Sequence, residues 1–339
     1  MELINIKKII LHILDNSVGL PVLSEEEHPH NIDIMEFLEI HIEKVFNDIN
    51  IKEAYFNTED SEENLVKNLC MSISKDDSKF IEKTREFARL MFNIMVENPS
   101  IPPCDLICSL FEGDGKKYLG FFILDYSLSY IHHVEESNDK RVNRVIKQKI
   151  TLPNKNQKIN EFVIVDLEDY SILLKEKKYE INGQKEYYLS KHLLKSKSTL
   201  SNKEKMDIVN KVSKKIVKNY YEDDVKKMAE IKSAMVESVE ETDTIDINHI
   251  KTEAFDKNLE LQNIYDEEIE KMGLREKVIK VNEPLYKKIP TTQKMVTDDG
   301  IEIKIPVSFL TNNNKIEFLN NTDGTISILL KDIGEIKGK

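Results

Sequence analysis

Three residue patterns in this sequence could support chemistry. Asp166 followed by Glu176-x-Lys178 has the spacing in which two carboxylates hold a divalent cation while a lysine assists the attacking water. Asp299, Glu302 and Lys304 repeat that pattern. Two matches in a chain that is 32% charged show how little the pattern demands, so a metal-dependent nuclease is the last of the readings weighed here. His28-Pro29-His30 and His132-His133 offer imidazoles, but lone pairs in loops or at strand ends are as a rule structural or solvated. Cys104 and Cys108 form a C-x3-C pair with no second Cys or His pair nearby, so they are read as free thiols in an extended segment. Gly113-x-Gly115 opens a strand rather than a helix and lacks the third glycine of a dinucleotide site. No Walker A loop, H-E-x-x-H or G-x-S-x-G occurs. The sequence therefore points to no catalytic residue, no metal and no cofactor.

Charge is more informative. The net charge of −12 would disfavour nucleic acid as a partner, because affinity for it comes largely from neutralised phosphates. That average hides a split. Residues 140–218 carry 20 Lys/Arg against 9 Asp/Glu, or +11, which leaves −23 for the remainder. An acidic body with a basic working surface has this asymmetry. Within it, Arg141, Arg144, Lys147 and Lys149 lie on an expected strand over 142–151 and its approach. Arg141, Lys147 and Lys149 share strand parity, so one face would present cations about 7 Å apart per two-residue step. Further on, Lys211, Lys214, Lys215 and Lys218 fall at i, i+3, i+4 and i+7 of an expected helix. Val209, Val212, Ile216 and Tyr220 take its opposite face. Tyr179, Tyr187, Tyr188 and His192, scattered among lysines, could stack on bases or equally pack on a core.

The elements that must position these residues can be read from periodicity. A buried strand over 4–14 is followed by helices over 33–50, 61–74 and 77–97. The prolines at 99, 102 and 103 stop the last helix. The chain then turns to β: strands at 106–112 and 116–125 flank Gly113-Asp114-Gly115, and others are expected at 142–151, 161–165 and 188–189. Asn182-Gly183 has the form of a type I′ turn. Ser201-Asn202-Lys203-Glu204 has the form of a capping box and opens a long helix, bent or broken near Glu222-Asp223-Asp224. Helices over 248–258 and 260–272 follow. The tail alternates Ile301, Ile303, Ile305, Val307 and Phe309 with more polar residues, turns at 312–314 and again at 321–324, and reads as a three-stranded meander. The class is α+β: N-terminal helices with an antiparallel sheet, and C-terminal helices plus a small antiparallel β-meander. Domains are expected at 1–199 and 200–339. Lacking a signal peptide or an apolar run long enough to span a membrane, the chain is expected to be cytoplasmic with no membrane partner.

The sequence also resembles a known family, the large bacterial nucleoid-associated proteins of the NdpA/YejK type. The likeness rests on Ile6-Lys7-Lys8-Ile9-Ile10-Leu11-His12 and Ile101-Pro102-Pro103-Cys104-Asp105-Leu106. It continues through Tyr118-Leu119-Gly120-Phe121 and Gln148-Lys149-Ile150-Thr151-Leu152-Pro153. Ile316-Glu317-Phe318, Asp323-Gly324-Thr325 and Ile333-Gly334 complete it. The resemblance implies association with the bacterial chromosome, hence a nucleoid location and binding to double-stranded DNA, without catalytic residues to carry over. The expectation is a non-enzymatic DNA-binding protein of weak sequence selectivity, acting through Arg141, Arg144, Lys147, Lys149 and the four helix lysines. The alternative is an interaction or assembly module of the nucleoid or of a mobile element, with other nucleoid proteins or a second copy of the chain as partners.

Overall fold

The computed structural model describes residues 4–57, 64–137, 140–256, 258–311 and 315–337, with the side chains at 137, 140 and 149–151 outside that description. The fold is α+β, and contacts divide the chain into two compact units, residues 1–199 and 200–339.

The first unit is built on an antiparallel sheet covered on both faces. Its elements in chain order are β1 (Ile4–Leu14), β2 (Val22–Leu23), α1 (Ile32–Phe46), β3 (Lys52–Phe56), α2 (Leu65–Lys75), α3 (Phe80–Glu97), β4 (Cys104–Gly113) and β5 (Lys116–Asp125). There follow β6 (Ser127–Ser137), β7 (Lys140–Thr151), β8 (Glu161–Asp166), β9 (Ser171–Lys175), β10 (Lys178–Ile181), β11 (Gln184–Tyr187) and β12 (Ser196–Ser198). Eight strands pair in the order β12-β3-β9-β8-β5-β4-β1-β2. Period-two alternation sends Phe121, Ile123, Val163 and Val165 to one face, where α2 lies through Leu69 and Ile73 and α3 through Phe80, Phe87, Met91 and Met95. Phe122, Leu124, Phe162 and Ile164 point to the other face, against Leu38, Ile42 and Val45 of α1. Both faces are thus dry, which is why β4 and β8 are buried along nearly their whole length.

Turn chemistry sets the registers. Asp114 and Gly115 both take positive φ (48° and 79°), and Gly113 pairs with Lys116, a two-residue hairpin turn of the I′ kind. Asn182 and Gly183 (φ 50° and 80°) do the same between β10 and β11, with Ile181 paired to Gln184.

Several sequence expectations need correction. Helix α1 ends at Phe46 rather than 50, capped by Asn47, and the next segment forms β3. Residues 61–63 of the expected second helix lie outside the described residues, and that helix begins at Leu65 on the Asn64 cap. Residues Asp77–Lys79 form a 3₁₀ turn ahead of α3. The expected strand at 188–189 ends instead at Tyr187, and Leu189–Leu193 makes a single π-helical turn. Strand β6, unassigned from sequence, is the pairing partner of β7.

In the second unit the helices are α4 (Asn202–Tyr220), α5 (Val225–Thr242), α6 (Ile247–Phe255) and α7 (Leu259–Lys271), with the short strand β13 (Thr244–Asp246) before α6. Ser201 accepts from the Glu204 amide while Glu204 receives the Ser201 N–H at 2.8 Å, so the capping box is complete. The break after α4 falls where Glu222 and Asp223 take left-handed φ of 51° and 61°. Past α7, β14 (Val278–Lys280) pairs with β13, and α8 (Glu283–Tyr286) follows. The tail departs from the expected meander: β15 (Thr292–Val296) pairs with β16 (Glu302–Pro306), and β17 (Ile316–Asn320) pairs with β18 (Ile326–Leu330). Between these two hairpins lies α9 (Val307–Thr311). Val307 and Leu310 are buried together with Ile305 and Ile316, and this burial on one side wins over the alternation that suggested continued strand. The expected turn at 312–314 lies outside the described residues. No described helix is long and apolar enough to cross a membrane.

Candidate nucleic-acid interface

Strands β6 and β7 form a two-stranded ribbon that belongs to neither face of the large sheet. Eleven residues at about 3.4 Å each give an arm of roughly 35 Å. All described side chains from 130 to 136 and from 141 to 148 are exposed. The register places Tyr130 opposite Lys147, His132 opposite Val145, Val134 opposite Asn143 and Glu136 opposite Arg141, so these share one face. Ile131 with Ile146, His133 with Arg144 and Glu135 with Val142 make up the other.

This settles where the strand cations stand. Arg141 and Lys147 do share a face, as strand parity requires, and Arg144 points the opposite way. Lys149 falls where the pairing shifts register between Ser127 and Ser129, so parity does not carry it into the same row. Its side chain lies outside the described residues. Arg141 Nε contacts Glu136 at 2.8 Å and Arg144 Nε contacts Glu135 at 2.6 Å. Both pairs are exposed, and such pairs contribute at most about 1 kcal/mol, so a phosphate oxygen can replace either glutamate at little cost. Lys147 makes no ion pair among the described residues.

The four lysines of α4 are all exposed, while Val209, Val212 and Ile216 are buried on its inner side. Tyr220, expected on that inner side, is instead exposed at the helix end. Ser213 holds the helix against α7 by sharing a hydrogen bond of 3.1 Å with the buried Tyr265 hydroxyl. Lys215 is ion-paired with Glu268. Lys211, Lys214 and Lys218 carry no such pair among the described residues.

At the root of the arm lies a buried polar network that sequence reading missed. Glu161, at the start of β8, is 2% exposed and receives the Tyr179 hydroxyl at 2.5 Å and the Lys177 amide at 3.2 Å. Burial pushes its carboxyl up to about 7, against the opposing pull of the Tyr179 hydrogen bond and the Lys177 cation. Lys177 also reaches Asp125 at 2.7 Å, and Asn160 donates to the same carboxylate at 3.2 Å. A cavity of about 320 Å³ opens beside them, lined by Asp125, Tyr126, Lys158 and Asn160 among others. A glutamate opening an apolar strand was the available signal.

The aromatic residues among the lysines are structural. Tyr188 is fully buried, Tyr179 serves Glu161, and the Lys52 ammonium sits 3.8 Å above the Tyr187 ring. His192 pairs with Glu186 at 3.1 Å. The nuclease pattern also disperses. Pairing of Val165 with Ile172 and Phe162 with Lys175 sets Asp166 and Glu176 at opposite ends of the β8–β9 hairpin, about 16 Å apart along the strands. Asp166 is held by Lys116 at 2.6 Å and Glu176 by Lys52. His132 and His133 lie mid-strand and face opposite sides of the arm. Among the described residues, no three His, Cys, Asp or Glu side chains gather as metal ligands would.

Comparison with known families decides the lineage. The sequence profile of nucleoid-associated protein YejK matches residues 10–337, nearly the entire chain. The chain belongs to this YejK family. The match spans both units, so the arm of the first and the lysine face of the second are parts of one family protein. No individual curated protein shows a match.

Proposed function

We propose that this member of the YejK family acts at the nucleoid by binding double-stranded DNA, mainly through phosphate contacts and with weak sequence selectivity. The observation that carries the reading is the arm: a two-stranded ribbon, exposed over 130–136 and 141–148, bearing Arg141, Arg144 and Lys147. A ribbon of this width fits the major groove of B-form DNA, and guanidinium and ammonium groups there neutralise phosphates on either wall. Lys211, Lys214, Lys215 and Lys218 supply a second cationic strip, on α4 of the second unit. Lys149 completes the set by its place in the strand. The units 1–199 and 200–339 act as separate domains in this reading, each contributing one surface. No chemical step is assigned to either.

The test is a salt titration of affinity for unrelated duplexes. A log–log slope near −0.9 per phosphate contact is expected, steep enough to report several contacts. A flat slope, or no retardation of duplex DNA at low salt, overturns the reading.

A further inference from the structure

We infer that the outer edge of β6 is the pairing surface for a second copy of this chain, joining two arms into a four-stranded antiparallel sheet. An isolated two-stranded ribbon is at best marginally stable in water, and three or more strands sharing an apolar face are the usual remedy. This arm has apolar side chains to share. Tyr130, Val134 and Val145 stand exposed on one face, and Ile131, Val142 and Ile146 on the other. Among the described residues, β7 is the one strand bonded to β6, so from Leu128 to Val134 the outer edge of β6 faces no other strand.

The two edges of the arm differ in a way that selects the partner. Native proteins protect open edges with charge, proline, bulges or short strands. The large sheet ends on β2 and β12, only two and three residues long. Strand β7 carries Arg141, Arg144 and Lys147, all exposed, and charge of this kind guards its outer edge against another strand. Strand β6 is 11 residues long, and from 128 to 134 it has no Lys, Arg, Asp, Glu, Pro or Gly. Such an edge is self-complementary about a two-fold axis perpendicular to the sheet. With the axis at His132, Tyr130 of one copy faces Val134 of the other, an aromatic with a β-branched residue on one face. Glu135 and Glu136 then face Ser129 and Leu128, so no like charges meet. Both β7 strands fall on the outside of the assembly, with Arg141 and Lys147 on one of its faces and Arg144 on the other.

Sedimentation velocity without DNA tests this independently of any DNA binding. The full chain is expected to be a dimer at micromolar concentration. His132→Lys, which sets two ammonium groups against each other at the axis, is expected to give a monomer with an unchanged thermal transition. Directly opposed residues of an antiparallel pair have Cα atoms about 4.5–5.5 Å apart, within the reach of a disulfide. Under mild oxidation, His132→Cys is therefore expected to form a linked dimer, and Asn143→Cys on β7 is expected not to. The native Cys70, Cys104 and Cys108 are all buried and add little background. A monomeric wild type overturns the inference. So does a dimer that survives His132→Lys, or linkage through Asn143→Cys in place of His132→Cys.

Discussion

Lys52 Nζ lies 3.5 Å from Glu176 Oε1, with the two side chains 9% and 0% exposed. Burial raises the Glu176 carboxyl, and the Lys52 cation opposes that shift. Such a pair costs heavily to break and little to replace as a whole. Lys52→Met alone is expected to destabilise the first unit by about 3–5 kcal/mol, by leaving a buried carboxylate uncompensated. The double variant Lys52→Met/Glu176→Leu is expected to recover most of that loss. Urea midpoints of the single and double variants measure it, and a double variant no better than the single contradicts the account.

Glu161 makes stability depend on pH in the sense opposite to most carboxylates. Its folded value near 7 lies above the ordinary 4.5, so between those values the folded state holds the proton more tightly. Its contribution is therefore fully present below about pH 4.5 and is lost as pH rises to about 7, by an amount on the order of 3 kcal/mol. Glu161→Gln is expected to abolish that decline and to be more stable relative to wild type at pH 8 than at pH 5. Denaturant titrations at the two pH values decide it.

Two histidines act on the acid side. His12 and His41 are fully buried and held down to about 4, chiefly by burial and secondarily by nearby cations. For an imidazole depressed below 6.5, stability is present above that value and is lost as pH falls toward 4. His12 Nδ1 accepts the Ser24 amide at 3.2 Å, which places its proton on Nε2. His41 instead packs edge-on against Phe37 at 4.4 Å and has no hydrogen-bond partner for either ring nitrogen among the described residues. His41→Leu is thus the cleaner variant, and a flatter loss of stability between pH 6.5 and 4 is expected in thermal melts.

On DNA, the two cationic surfaces should separate. Arg141→Ala and Lys147→Ala on the arm are each expected to reduce the salt slope by about 0.9 and to weaken binding equally for unrelated sequences. Charge reversal at Lys211, Lys214, Lys215 and Lys218 together is expected to reduce it by several such steps. Gel shifts across a salt series read both effects. A slope unchanged by the helix variants would confine the interface to the arm.

Much of the fold was legible because local chemistry and tertiary placement agree. Asp114-Gly115, Asn182-Gly183 and the Ser201/Glu204 box each occupy the conformation their side chains favour. Elements were lost where the two diverge. Strand β3 turns Lys52, Ala54 and Phe56 inward, and a lysine with an alanine does not look like a buried strand face until Glu176 is beside it. Strand β6 reads Ser-Leu-Ser-Tyr-Ile-His-His-Val and is exposed on both faces, so it has no alternation to detect. The tail reverses the problem: the period of two persists through Val307 and Phe309, but packing of Val307 and Leu310 coils that segment. For the proposed interface, sequence spacing located the α4 lysines on one exposed face. It could not locate Lys149, whose strand parity is broken by a register shift that only pairing with β6 reveals.

The arm interrupts the chain between two strands that are already neighbours. Strand β5 ends at Asp125, β8 begins at Glu161, and Ile123 pairs directly with Glu161 beneath the arm. The large sheet therefore closes without any contribution from residues 127–151. A change in the length of this appendage therefore leaves every strand pairing of the large sheet in place, much as a tool is changed in a fixed handle. Replacement of residues 127–151 by a short turn would then remove the ribbon and leave the melting behaviour of the body unchanged.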